Sequence, residues 1–129
     1  MTHRANYARC PFQQQLAPSA DALAVPWAEF AGDRTDPISF DVPADDPVEP
    51  YVEMQVYDVD EFNHEISLNG DPLSGFDVAP GEGWQYWMDA ISETRLQGGE
   101  NTIQFRRDPT TDDAFVVGTA IVHWKEPVE

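Results

Sequence analysis

Three histidines, 24 carboxylates and a single cysteine are the groups of this 129-residue chain that could carry protons or attack an electrophile. His3, His64 and His123 show no metal-ligand spacing, and neither H-E-x-x-H nor C-x-x-C occurs. His64 directly precedes Glu65, but adjacent strand residues point to opposite faces, so they are not expected to act as a pair. His64 shares its phase with Ile66, which predicts a histidine at the edge of the core rather than a base. His123 falls in an apolar strand near the end of the chain and is read the same way. Cys10 has no base near it in sequence, and no G-x-S-x-G is present. Glycoside hydrolysis needs two carboxyl groups about 5 Å or ~6.5–9.5 Å apart. A carboxylate-based hydrolase is therefore one reading, but so many acids hide any specific pair. No enzyme is expected.

The aromatics are the stronger lead. Trp84, Tyr86 and Trp87 crowd one segment with Met88, directly after "APGEG". In an extended chain Trp84, Tyr86 and Met88 share one face, and Gln85 and Trp87 the other. Tyr57 points outward on its own strand if Val52, Met54 and Val56 point inward. An exposed tryptophan is a stacking platform for a sugar ring or an anchor for a protein partner.

Charge bounds the partners. Against 24 Asp and Glu stand seven basic residues, for a formal net charge of −17. Six are arginines and Lys125 is the one lysine. Self-repulsion on this scale destabilises a compact chain. Concentrated salt shortens the screening length to about 3 Å at 1 M and removes most of that cost. The acids spread from Asp21 to Glu129 rather than forming a tail, and fifteen aromatic residues argue against disorder. The composition resembles that of haloarchaeal cytosolic proteins. Nucleic acid is not expected as a partner, because phosphate binding needs a basic face. No apolar run approaches the ~18 residues of a membrane span, and "MTHRANYARC" has no apolar signal-peptide core. The expectation is a cytoplasmic protein without a membrane partner.

These residues need elements to hold them. "ISFDV" (38–42) and "YVEMQVYDV" (51–59) alternate apolar and polar residues, the mark of half-buried strands. "HEISLNGDPL" gives Ile66 and Leu68 inward, and Asn69-Gly70 supplies a hairpin turn. In "LQGGENTIQF", Gly98 and Gly99 reverse the chain and Ile103 and Phe105 point inward. "AFVVGTAIVHW" (114–124) is apolar in both phases and predicts a central strand covered on both faces. "SGFDV" reads as another short strand, and "WQYWMDAISETRL" (84–96) starts as a strand and ends in a helical turn. About eight short strands joined by Pro/Gly turns predict an all-β antiparallel sandwich. One domain spans residues 1–129, with an N-terminal strand and loop over 1–22 and a frayed tail over 125–129.

The order "VYDVDEFNHEISLNG", "WQYWMDAISETRLQGGENTIQF", "AFVVGTAIVHW" resembles galactose-binding-like jelly-roll domains, the sandwiches found as carbohydrate-binding modules. The matching positions are Ile66, Leu68, Asn69 and Gly70; Met88, Asp89 and Ile91; and Leu96, Gly99, Asn101 and Ile103. These are turn formers and core positions, so the resemblance implies a fold rather than a ligand. It places Met88 inward, and hence Trp87 outward as the first candidate ligand contact, with Tyr57, Trp84 and Tyr86 as neighbours; the alternative is that Trp87 packs under a loop or against the segment around Trp27, since tryptophan is usually mostly buried. Many such domains hold a structural calcium ion. The resemblance makes Asp33, Asp36, Asp112 and Asp113 its candidate oxygens here; the alternative is that they are plain surface acids and that no cofactor is bound. The expected function is a non-catalytic binding or interaction domain in a salt-rich cytoplasm. Its target is a protein partner or a second copy, or alternatively a carbohydrate.

Overall fold

The computed structural model describes residues 2–73, 78–92 and 95–128. Among them the chain forms nine strands and no helix: β1 (Thr2–Leu16), β2 (Glu29–Gly32), β3 (Ile38–Val42), β4 (Val48–Val59), β5 (Glu65–Leu68), β6 (Asp71–Pro72), β7 (Gly81–Ala90), β8 (Gly99–Arg106) and β9 (Phe115–Val128). They make a five-stranded sheet in the order β2-β1-β9-β4-β7 and a four-stranded sheet in the order β3-β8-β5-β6. The fold is the expected β-sandwich, with one strand more than expected. It is not wholly antiparallel, since β2 pairs parallel to the end of β1. Because β2 reaches only Gln14–Leu16, the first part of β1 is an edge, which is where Pro11 is tolerated.

The core lies between the sheets. Val52, Met54 and Val56 of β4 meet Ile66 and Leu68 of β5, Ile103 and Phe105 of β8, and Val117, Ala120, Val122 and Trp124 of β9. Phe12 packs edge-on against Phe105 at 5.3 Å, and Phe40 lies over Trp124. The short strand expected in "SGFDV" lies almost wholly outside the described residues, as does part of the end of 84–96, where a helical turn was expected; up to Ala90 that segment is strand β7.

The glycine- and asparagine-rich stretches are joinery. Asn69 (φ 54°) and Gly70 (φ 88°) turn β5 into β6 with both central residues left-handed, the geometry of a two-residue hairpin. Asn101, fully buried, latches the loop before β8. Its Oδ1 accepts from Gln97 N–H (3.0 Å) and Asn69 Nδ2 (2.9 Å), while its Nδ2 donates to Gln97 O (2.7 Å) and Gly99 O (3.1 Å). "L-x-x-G-x-N-x-I" is thus a turn and a strand with an internal clasp.

The tail is not frayed. Lys125–Val128 continue β9 and pair with Thr2–Ala5 of β1. Glu126 is buried there and accepts from Trp124 Nε1 (3.1 Å), Arg4 Nε (3.1 Å) and Asn6 Nδ2 (3.3 Å). Those donors, the Trp124 indole first, hold its carboxyl below the usual carboxylate range. A strand that alternates core and solvent reads as a polar tail when its inward residue is a glutamate.

Candidate functional site

Strand β7 reverses the expected phase. Trp87 lies opposite Met54, Asp89 opposite Val52 and Gln85 opposite Val56. Directly opposed residues share a face, so Trp87 points inward and packs on the core. Its indole Nε1 is buried with no hydrogen-bond partner among the described residues. Trp84, Tyr86 and Met88 take the outer face and are 47%, 54% and 69% exposed. Burial would favour hiding those three side chains at the expense of Gln85 and Asp89; the fold does the opposite.

The outer face of the five-stranded sheet is therefore aromatic. Trp27, from the segment between β1 and β2, sits 5.4 Å from Tyr57 and 5.6 Å from Trp84, and Tyr57 lies 5.3 Å from Trp84. The Trp84 indole lies close against Gly118 of β9. A Cβ there would stand 3.0 Å from Cζ3 and 3.2 Å from Cη2 of that ring. Val116, in the outward phase opposite Tyr57, is fully buried. The first residues of β9, Phe115–Gly118, are thus buried on both faces, but the expected double cover does not run on through 124: Thr119, Ile121 and His123 are only half-buried.

A second group lies further along the face. Tyr51 stacks on His123 at 4.5 Å and 9°, and Tyr7 lies 6.2 Å from the same ring. His123 Nε2 pairs with Glu53. The Tyr86 hydroxyl also donates to Glu53, which, with slight burial and the Glu53 charge, holds the phenol above its ordinary value. At the Trp84 end an acidic cleft of about 610 Å3 opens, lined by Leu23, Tyr57, Asp58, Asp60, Glu82 and Asp112. At the other end an apolar hollow of about 470 Å3 lies among Pro50, Tyr51, Met88, Ala90 and Ile91. Between them runs an open face of rings, carboxylates and amides.

The four candidate metal aspartates do not converge. Asp33 pairs with Arg107 (2.8 Å). Asp36 accepts from Gln14 Nε2 (3.0 Å). Asp112 lines the acidic cleft. Asp113 is buried and accepts from His64 Nε2 (2.6 Å), Glu61 N–H (3.0 Å) and Asp60 N–H (3.1 Å). Burial raises its pKa, but the bonds from His64, Glu61 and Asp60 outweigh that and leave it below the ordinary value. Among the described residues no group of three or more His, Cys, Asp or Glu is arranged to hold a metal ion.

His64 is fully buried, deeper than the core-edge position expected. Its Nδ1 accepts from Asp108 N–H (2.9 Å), so the proton sits on Nε2 and is donated to Asp113. Both ring nitrogens are engaged, so no lone pair is left to act as a base. The pair ties the loop after β8 to the loop after β4. Arg107 tightens the former by donating from Nη1 to Thr111 O (2.7 Å).

Residues 4–126, nearly the whole chain, match a single family. The chain belongs to DUF7383, a family of unknown function. No curated protein matches this member of the family. Among solved structures it is similar to the CBM36-1 domain of a multidomain xylanase from the hindgut metagenome of Trinervitermes trinervoides. The TM-score is 0.57 at 8% identity, over 92% of this chain and 96% of that domain. It is also similar to part of dimeric latent PorU from Porphyromonas gingivalis, with a TM-score of 0.52 at 10% identity. That match takes in 98% of this chain and 13% of PorU. At such identities the likeness is one of fold, a β-sandwich.

Sequence reasoning missed Trp27, Met88 and Gly118 as parts of the aromatic face. Gly118 had a signal: a glycine inside an apolar strand marks the close approach of another group.

Proposed function

We propose that this chain is a non-catalytic binding domain that lays the outer face of its five-stranded sheet along a neutral polysaccharide in a salt-rich medium. The observation that carries this is the stripe Trp84, Tyr86, Met88 on edge strand β7, exposed beside Trp27 and Tyr57. Alternate residues of a strand stand roughly 6.8 Å apart, so the stripe runs about 14 Å. Large apolar side chains left in water at that density mark a binding surface. The face is open rather than concave, which suits a polymer better than a small ligand held in a pocket. Rings interleaved with Gln55, Glu53 and the Tyr86 hydroxyl offer sugars both stacking and hydrogen bonds. The net charge of −17 repels acidic polymers. The fold shared with a carbohydrate-binding domain supports the same reading.

The same stripe would also suit a protein partner or a second copy, because it borders the unpaired edge of β7. Affinity electrophoresis against a panel of neutral polysaccharides, in concentrated potassium chloride, separates the two. Retardation by at least one polysaccharide, lost by about tenfold or more in Trp84→Ala, is the expected result. Absence of retardation together with a concentration-dependent dimer in light scattering would replace the sugar with self-association. Trp87→Phe should leave binding unchanged.

A further inference from the structure

On the outer face of the other sheet, three of the chain's six arginines meet at one cavity. It measures about 600 Å3 and is lined by Arg34, Arg106, Arg107, Asn63, Glu65 and Asp108, with Asp33 at its wall. Arg107 is occupied by Asp33 and by backbone carbonyls. Arg34 and Arg106 are not: neither makes an ion pair among the described residues. Arg106 Nε is buried without a hydrogen-bond partner among the described residues.

The backbone forces these two side chains together. Thr35 N–H donates to Phe105 O (3.0 Å), and Arg107 N–H donates to Asp33 O (2.7 Å). Arg34 and Arg106 between them form an isolated antiparallel bridge of the non-hydrogen-bonded kind. That is the type in which opposed side chains lie closest, and like charges directly opposite destabilise a sheet. The nearby carboxylates do not relieve it. Asp33 is held by Arg107. Asp108 accepts from the amide and hydroxyl of Thr110 and from Asn63. Glu65, across from Arg106 on β5, forms no ion pair with it. Arg34 and Arg106 therefore oppose each other across the bridge with no carboxylate paired to either among the described residues.

We propose that this cavity binds a small organic oxyanion, its carboxylate or phosphate group clamped between Arg34 and Arg106. Guanidinium forks match both groups in bidentate geometry. The volume exceeds that of a lone ion and falls in the range of small-molecule sites, so the body of the molecule fits beside Asn63 and Pro109. An anion between the guanidinium groups turns their repulsion into two attractions. This site is independent of whatever the aromatic face holds.

The test is an NMR titration of the full chain with inorganic phosphate and, separately, with succinate, at fixed ionic strength set by potassium chloride. Saturable shifts centred on Arg34 and Arg106 are expected with at least one, and the stronger identifies the preferred group. Arg34→Gln, at an exposed position, should weaken that binding by about tenfold or more. It should also melt no lower than the parent protein without anion, since it removes a repulsion. Arg9→Gln, an equal charge change at another exposed position, should leave the affinity unaltered. Failure of both anions to saturate would overturn the proposal. So would equal weakening by Arg9→Gln, which would mean a bulk charge effect.

Discussion

Replacing Asn101 by alanine removes four hydrogen bonds in one step. Two are accepted by Oδ1 from Gln97 N–H and Asn69 Nδ2, and two are donated by Nδ2 to the carbonyls of Gln97 and Gly99. The side chain is fully buried, so no water replaces it directly. A typical buried hydrogen bond contributes about 1 kcal/mol net, and a group left unsatisfied costs about 1–3 kcal/mol. Simple addition gives roughly 4 kcal/mol. Gln97 and Gly99 are exposed, so their backbone groups can turn to solvent and recover part of it. The expected loss is therefore about 2–4 kcal/mol, or roughly 6–16 °C in Tm for a domain of this size. Urea unfolding followed by tryptophan fluorescence would measure it, with an unchanged m-value as the sign of an intact fold. Asn101→Asp gives an internal check. It keeps an acceptor for Gln97 N–H but turns a carboxylate on two carbonyl oxygens, so at neutral pH it should be at least as destabilising as alanine. A loss below about 0.5 kcal/mol in the alanine variant would refute the claim that this clasp, rather than the strand beyond it, holds the loop.

Other outcomes follow from the same structure. Asp113→Asn should cost about 1.5–3 kcal/mol at neutral pH, the usual worth of hydrogen bonding to a buried charged group. Because the Asp113 carboxyl titrates below its ordinary 3.8, its contribution is intact above that value and lost as pH falls through the lower one. The gap between parent and variant, measured by urea unfolding across pH, should therefore close in acid; a gap constant down to pH ~2 would contradict it. Burial pushes the Cys10 thiol up to about 11 and leaves it without exposed surface. It should react with a thiol reagent at pH 8 only after denaturant is added, and rapid native labelling would be the contrary result. With a net charge of −17, Tm should climb steeply as potassium chloride rises from low to molar concentration, and a flat calorimetric profile would remove the reading of a salt-adapted surface.

Much of the fold was legible because burial and period agree. Val52, Met54 and Val56 alternate with polar residues, and β3 occupies the predicted 38–42. Asn69-Gly70 marked its hairpin because few other pairs adopt two left-handed residues. Strand β7 was misread for the opposite reason. Its larger apolar set, Trp84, Tyr86 and Met88, faces water, and its inward set is diluted by Gln85 and Asp89 at a sheet edge. A rule that sends bulk to the core has to fail where the larger side chains stay outside. The tail escaped notice because the inward residue there is Glu126, satisfied by Trp124, Arg4 and Asn6, partners too distant in sequence to foresee or hidden inside an apolar strand. The arginine cavity depends on a bridge between residues 34 and 106, and no local pattern announces a contact across such a distance.

The pairing of Thr2 with Val128 places the two ends of the described residues side by side at one corner of the five-stranded sheet. A force applied to the two ends would load that ladder from its open end. Its hydrogen bonds would then break one after another, as in a zipper, rather than all together as in shear. Joined at both ends to stiffer neighbours, such a domain would be the first to yield under tension and would peel open from β1. A tether attached at one end alone would leave it mechanically untouched.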